Sequence, residues 1–234
     1  MIIFRFLWRI WYWIVTITVT IFTAPFCFIS LFYPPLLART ARGWARLILM
    51  LMGFIMRKHG AFPKDDQPYI IVSNHSSELD IYMILLLNPK QTLFIAKAEL
   101  GKLPIFGILA KRTMILVDRK KLHSRKKSYM KSMETIKNGK SICIFPEGHI
   151  PDDYDLLLDR FKDGAFSLSV ETNSMIVPVV FPDNKKKFPF IWSKGSPGIL
   201  NAHIYEPRTG SDRTELKNDI FCLIKGELER LQPK

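Results

Sequence analysis

From Ile10 to Tyr33 the chain runs 24 residues without a single charged side chain. No solvated loop tolerates such a run, and strands rarely exceed about 10 residues, so the segment must be a helix. At 1.5 Å per residue it reaches about 36 Å, enough to cross a hydrocarbon core of about 30 Å. Pro25 interrupts the run and is expected to kink or end the helix near Ala24, and Pro34-Pro35 stop it. A second apolar stretch, Leu47 to Met56, has ten residues and is too short to span. Trp8, Trp11, Tyr12, Trp13, Tyr33 and Trp44 are aromatics of the kind that settle at headgroup level, and Arg5, Arg9, Arg39, Arg42, Arg46, Arg57 and Lys58 flank the apolar pieces. Two readings fit: one span with the bulk of the chain on the basic, cytoplasmic side, or an interfacial pair of helices broken at the prolines. Either anchors the chain on an anionic leaflet. A cleaved signal peptide fits worse, since no A-x-A site follows and the apolar region is too long. A buried hairpin leaves the aromatic and arginine edges without a purpose. A multi-span transporter is excluded, because no other stretch is long enough.

The chain has 234 residues, 48% hydrophobic, which excludes disorder, and only 12 Gly and 15 Pro, which excludes a collagen-like or low-complexity chain. The formal net charge is +13, a balance that suits a polyanionic partner: nucleic acid, an anionic membrane face or a phosphorylated substrate. Residues 1–60 carry seven Lys/Arg and no acid, and residues 111–140 carry eleven against Asp118 and Glu134. The second patch has no aromatic but Tyr129 to stack on bases, which argues against nucleic acid and for a membrane, the phosphates of a donor or an acidic carrier protein. Cys27, Cys143 and Cys222 are odd in number and widely spaced, so they form neither a disulfide framework nor a metal-ligand pattern.

His59 to Pro68 reads as a linker, which places a membrane-anchoring segment at 1–60 and a second unit at 61–234. Beyond it short apolar runs alternate with helical patterns. Strands are predicted at Tyr69–Ser73, Thr92–Ala96, Thr113–Val117, Ser141–Phe145, Met175–Phe181 and Asn201–Tyr205. Helices are predicted at Ser77–Leu87, Lys102–Lys111, Ser124–Asn138, Lys162–Thr172 and Arg213–Leu231. The alternation argues an α/β sheet covered by helices.

Three strand ends carry polar groups suited to chemistry. After the first comes Asn74-His75-Ser76-Ser77-Glu78-Leu79-Asp80. On one continuous helix His75 and Asp80 sit about 140° apart and cannot meet. If His75 precedes the helix and Asp80 lies in its first turn, the bend folds the carboxylate back to one imidazole nitrogen and leaves the other free as a base. Ser77-x-x-Asp80 also reads as a capping-box-like helix start, which needs no chemistry. The asparagine also opens a formal glycosylation sequon, read as incidental. The strand ending in Phe145-Pro146-Glu147-Gly148 presents a carboxylate, which accepts from hydroxyls, and a glycine, which permits close backbone approach. The strand Ile115–Val117 delivers Arg119 to its end, where a guanidinium forks onto phosphate; Lys97, after the second strand, is of the same class.

Together these pieces resemble the glycerophospholipid acyltransferase family, and within it the 1-acylglycerol-3-phosphate acyltransferases. Asn74, His75 and Asp80 match its Asn-His-x-x-x-x-Asp motif, Ile115 to Arg119 its second region, Phe145 to Gly148 its Phe-Pro-Glu-Gly, Phe161 to Ala165 its Phe-Lys-x-Gly-Ala, and Val177-Pro178-Val179 its fourth. Lys97 to Leu100 and Pro104 to Gly107 resemble its Lys-x-Glu-Leu…Pro-x-x-Gly stretch. The ordered set covers residues 69 to about 181. One departure stands out: the family's Thr-Arg after Pro-Glu-Gly is replaced by His149-Ile150. The expected fold is α/β, a central mixed β-sheet flanked by helices, with an N-terminal hydrophobic, membrane-associated helical pair. The resemblance implies transfer of a fatty acyl group from acyl-CoA or acyl-carrier protein to a lysophospholipid hydroxyl in phospholipid biosynthesis, on the cytoplasmic face of the cell inner membrane. Glycerol 3-phosphate or another lysolipid is the alternative acceptor. No metal and no cofactor beyond the thioester co-substrate is implied. His75 is then the general base and Asp80 its orienter; Asn74, Lys97, Arg119, Glu147 and Gly148 bind substrate; amides near Ser76–Ser77 hold the oxyanion; and Phe62, Phe94 and Phe106 are candidates for an acyl channel.

Overall fold

The computed structural model describes residues 2–30, 32–103 and 106–231, without the side chains of Pro34, Pro35, Phe106 and Leu109. Seven strands form one sheet in the order β1-β7-β6-β2-β5-β3-β4. They are β1 (Phe54–His59), β2 (Ile70–Ser73), β3 (Thr92–Lys97), β4 (Met114–Val117), β5 (Ser141–Ile144), β6 (Ile176–Val180) and β7 (Gly198–Ile204). β6, β2, β5, β3 and β4 are mutually parallel, and β7 joins β6 antiparallel. The sheet is therefore mixed, as expected. Its consequence for function is geometric: five strands point the same way, so the residues following them gather along one edge, where open α/β sheets place their ligands. β2, β5 and β6 are buried along their whole length, which explains why they read as continuous apolar runs rather than as alternation. Pro178 sits in β6 without breaking it. Its carbonyl accepts from Tyr205 N at 3.0 Å, so its missing N–H faces β7, whose pairing covers only Val179 and Val180.

Helices cover both faces. On one lie α1 (Ile2–Ser30), α2 (Pro34–Leu51) and α3 (Leu79–Leu87), joined in one core that includes Trp8, Tyr12, Ile48, Met83 and Val179. On the other, α5 (Leu122–Lys137), α6 (Gly164–Thr172) and α8 (Arg213–Leu231) pack through Ile136, Phe166, Ile220 and Ile224. α4 (Phe106–Thr113) and α7 (Asn184–Lys187) are short connectors.

α1 and α2 form an antiparallel hairpin. The indole N–H of Trp8 donates to Met52 O at 3.2 Å, that of Trp11 to Leu51 O at 3.0 Å, and that of Trp44 to Thr20 Oγ1 at 3.0 Å. α1 turns a narrow stripe, Trp8, Tyr12, Val15 and Val19, to the protein and leaves Ile3, Phe22 and most of its other large apolar side chains exposed. A helix 29 residues long, apolar and largely unburied is matched to lipid rather than to water.

Four expectations need correction. The helix does not end near Ala24: α1 continues through Pro25 to Ser30, since an internal proline removes one hydrogen bond and does not by itself stop a helix. The stretch Leu47 to Met56 is not one element. Gly53, at φ +76°, ends α2 and starts β1, a strand not foreseen; only glycine takes that backbone conformation without strain. β1 pairs with β7 along six residues, so the sheet begins before the predicted linker. The helix foreseen at Lys102–Lys111 is present as α4 but with later bounds, Phe106–Thr113, and a 3-10 helix, Ala98–Lys102, precedes it; Pro104 and Ile105 lie outside the described residues.

Candidate active site

β2 delivers Asn74 and His75 to the edge of the sheet, and α3 begins at Leu79, so Asp80 falls in its first turn. The bend brings His75 Nδ1 to 2.9 Å from Asp80 Oδ2. Because an ionised carboxylate only accepts, Nδ1 carries the proton and Nε2 keeps its lone pair. Asp80 is fully buried and receives three further bonds: Ser76 N and Ser77 N at 2.8 and 3.0 Å on Oδ2, and Asn184 Nδ2 at 2.6 Å on Oδ1. Those amides therefore hold the carboxylate and not an oxyanion, which corrects the expectation placed on them. The imidazole stacks on Phe145, with centroids 4.0 Å apart and planes at 14°. Ring rotation is thus restrained by a carboxylate on one side and an aromatic face on another.

Glu147 reaches the same loop from β5. It is buried, and its two oxygens accept from His75 N at 2.7 Å and from Asp159 N at 3.0 Å. Burial pushes its carboxyl up to about 7, against the two backbone bonds that favour the charged form. The folded protein then keeps this proton over a range where the unfolded chain has released it. Stability tied to Glu147 is accordingly full below its ordinary value of 4.5 and is lost as pH rises through about 7. The expected result is that the melting temperature of wild type, taken relative to Glu147→Gln, falls across that window; parallel curves would count against a raised carboxyl.

His75 opens into a cleft of about 810 Å³, whose wall also includes Lys97, Arg119, His149, Lys185 and Phe94. Burial lowers the Arg119 guanidinium somewhat, offset by Glu99. Lys185 is lowered by burial too, offset by Asp153, Glu147 and Asp155. Asn74 borders the cleft, but its side chain is engaged with Phe181: Nδ2 donates to its carbonyl at 3.0 Å, and Oδ1 accepts its N–H at 2.9 Å. That pair ties the end of β2 to the end of β6. Gly148 is absent from the wall; at φ +77° it makes the turn, with Lys162 packed where a side chain would go. Phe62 stacks on Tyr69 in the core, and the Phe106 side chain lies outside the described residues.

Two functional candidates escape the motifs. Asn184, 104 residues from Asp80 in sequence, supplies the donor to its second oxygen. Lys185, the next residue, adds a cation to the cleft and donates to Leu156 O. Their signal was a polar cluster, Asp183 to Lys187, just past a strand end. His149 lines the cleft as well, with Nε2 at 3.4 Å from Asp159.

The sequence profile of the family described as Acyltransferase matches residues 49–182. The chain is 36% identical over 167 residues to a chloroplastic 1-acyl-sn-glycerol-3-phosphate acyltransferase of Arabidopsis thaliana, covering 68% of this chain and 43% of that protein. It is 32% identical over 185 residues to the 1-acyl-sn-glycerol-3-phosphate acyltransferase of Saccharomyces cerevisiae, covering 78% and 61%. A lyso-ornithine lipid O-acyltransferase of Rhizobium meliloti is 29% identical over 117 residues, covering 50% and 39%. The matches thus span about half the length of these curated relatives. The crystal structure of the 1-acyl-sn-glycerophosphate (LPA) acyltransferase PlsC from Thermotoga maritima superposes with a TM-score of 0.83 at 23% identity, over 99% of this chain and 98% of that one. At that identity the likeness is one of fold.

Proposed function

The chain belongs to the acyltransferase family, and from that premise we propose that it moves a fatty acyl group from a soluble thioester, acyl-CoA or acyl-carrier protein, to the sn-2 hydroxyl of 1-acylglycerol 3-phosphate, giving phosphatidic acid. The observation that carries this reading is the His75–Asp80 pair, with the ring opening onto a cleft that also presents Lys97, Arg119 and Lys185. Nε2 of His75 takes the proton of the acceptor hydroxyl as its oxygen attacks the thioester carbonyl. The carbon–sulfur bond then breaks, and the proton passes to the leaving thiolate. The substrate hydroxyl stands where a serine stands in a hydrolase triad, so no acyl-enzyme forms. Asp80 orients the ring and stabilises the imidazolium. Glu147 holds the backbone of His75 and thereby the position of the base. A phosphate monoester suits a cleft with three cations. The apolar N-terminal hairpin keeps enzyme, acceptor and product at one leaflet, which we assign to the cytoplasmic face of the inner membrane, where the donor is dissolved. The lining also includes Ile150, where the family carries arginine, and Asp152; this favours a second reading, the same chemistry on a lysolipid with a cationic headgroup.

Incubating the purified protein in detergent with labelled acyl-CoA and a panel of lysolipids tests both. Selective labelling of 1-acylglycerol 3-phosphate supports the first reading. Preference for an amino-bearing lysolipid supports the second, and release of free fatty acid alone refutes both. Arg119→Ala is expected to raise KM for the phosphate acceptor about tenfold, in keeping with a charge-assisted hydrogen bond, while KM for the donor stays put. Equal rises in both would take Arg119 away from the acceptor phosphate.

A further inference from the structure

The segment Phe188–Lys194 follows α7 and has no regular structure of its own. It forms part of the cleft wall through Pro189, Phe190 and Ile191. Phe188 is buried against Trp8 and Tyr12 of α1. Phe190 and Trp192 point outward, 58% and 44% exposed, and Trp192 lies with its ring 6.1 Å from that of Phe6, itself exposed on α1. The exposed apolar side chains of α1 therefore meet those of the cleft rim at the Phe6–Trp192 contact.

An irregular loop is ordinarily unfit for lipid, because each carbonyl left without a donor in an apolar medium costs several kcal/mol. Here five of the segment's seven carbonyls, those of Phe188, Pro189, Ile191, Ser193 and Lys194, meet donors within the protein. Arg9 is buried, its guanidinium 3.9 Å from the ring centroid of Phe188, and it donates to Pro189 O, to Ile191 O at 3.4 Å and to Lys194 O at 3.2 Å. Arg5 donates to Ser193 O at 3.0 Å, and Ile191 O also accepts from Lys194 N at 3.0 Å. Two arginines that the sequence offers as headgroup anchors are thus spent on satisfying a loop whose carbonyls water could have reached. Lys194 ends the segment, its ammonium 4.1 Å from the ring centroid of Tyr154, a cation placed where the apolar rim gives way to polar surface.

We propose that Phe188–Lys194 is a lipid-inserting rim. Phe190 and Trp192 enter the boundary between headgroups and acyl chains of the leaflet that holds α1, so the cleft opens onto lipid rather than water. The occupant of this surface is a phospholipid bilayer. The proposal rests on the association of α1 with a membrane but not on the identity of the acceptor.

The test uses the full-length chain with Cys27 and Cys222 changed to Ser, leaving Cys143, which is fully buried. A polarity-sensitive fluorophore is placed singly at Phe190→Cys, at Ile14→Cys on the exposed face of α1, and at Met130→Cys on α5, across the sheet. Trp192→Cys replaces the first if its circular dichroism departs from wild type. Vesicles of phosphatidylcholine and phosphatidylglycerol are prepared with and without lipid brominated near the headgroup end of its chains. Quenching at 14 and 190 but not at 130 supports the rim. Quenching at 14 without 190 overturns it. No quenching at either removes the membrane premise and the rim with it, and a shift at 190 that follows protein concentration rather than lipid assigns the patch to a second copy and overturns the proposal. Independently, Phe190→Ser with Trp192→Ser should weaken vesicle partition at least tenfold, since burying one such ring alone is worth about that factor; unchanged partition of the folded variant overturns it.

Discussion

Purified His75→Ala is expected to lose acyl transfer by roughly 10²–10⁴-fold in kcat, the range for removing a positioned general base, with folding and vesicle binding unchanged. The reason is local. The imidazole is only partly exposed and takes part in one side-chain hydrogen bond, to Asp80. Asp80 keeps three other donors when the ring is gone, so the loop stays anchored. Little apolar area is lost beyond the stacking face on Phe145. Added imidazole should restore part of the rate, because truncation to alanine opens room beside Asp80 for a free ring, whereas a merely structural histidine would show no such rescue. Turnover near wild type in the folded variant would remove His75 from the chemistry and with it the proposed mechanism.

Asp80→Asn should be comparably severe in rate and worse in stability. An amide has one acceptor side and one donor side. Asp80 accepts on both: three donors meet Oδ2 and one meets Oδ1. With its NH2 on the Oδ2 side asparagine meets three donors, and on the Oδ1 side it meets Asn184 Nδ2 as that amide now stands, and each donor left unpaired costs about 1–3 kcal/mol. The ring also loses the charge that stabilises its protonated form; in a Ser-His-Asp triad the same change lowers kcat about 10⁴-fold, and roughly 10³–10⁴-fold is expected here. Thermal unfolding and single-turnover kinetics separate the two effects. A kcat within tenfold of wild type, together with an unshifted melting curve, would show that neither the charge nor the four-bond arrangement matters.

Asn184 links these results to the architecture. It bonds Asp80 from a short helix beyond the end of β6, and the same loop continues into Lys185 and the rim at Phe188–Lys194. One connection thus carries a support of the Asp80 carboxylate, a cation of the cleft and the contact with α1. The proposed lipid rim and the support of the Asp80 carboxylate are held by neighbouring residues of one connection.

The contact between His75 and Asp80 was legible in the residues alone because it is local: five positions, a strand end and a helix start decide whether the two groups meet, and the bend between them is a short-range property. The N-terminal helix was legible for a similar reason, since 24 uncharged residues leave one structure open to them. Parallel core strands showed themselves as β-branched runs between helical patterns. What no local pattern contained was the set of bonds that cross the sheet. Glu147 holds the amide of His75 across 72 residues, and Asn184 meets Asp80 across 104. The amides of Ser76 and Ser77 were free on paper and are occupied in space. Arg5 and Arg9 looked like lipid anchors because charge at the edge of an apolar run usually seeks headgroups; the fold instead brings four carbonyls to them. β1 was hidden because a glycine turn divides one apolar stretch into a helix end and a strand, and its partner β7 lies 144 positions away. Sequence spacing sets which neighbours a side chain can reach along the chain, whereas the sheet order sets which distant groups arrive beside it, and only packing in three dimensions satisfies or strands each buried polar atom.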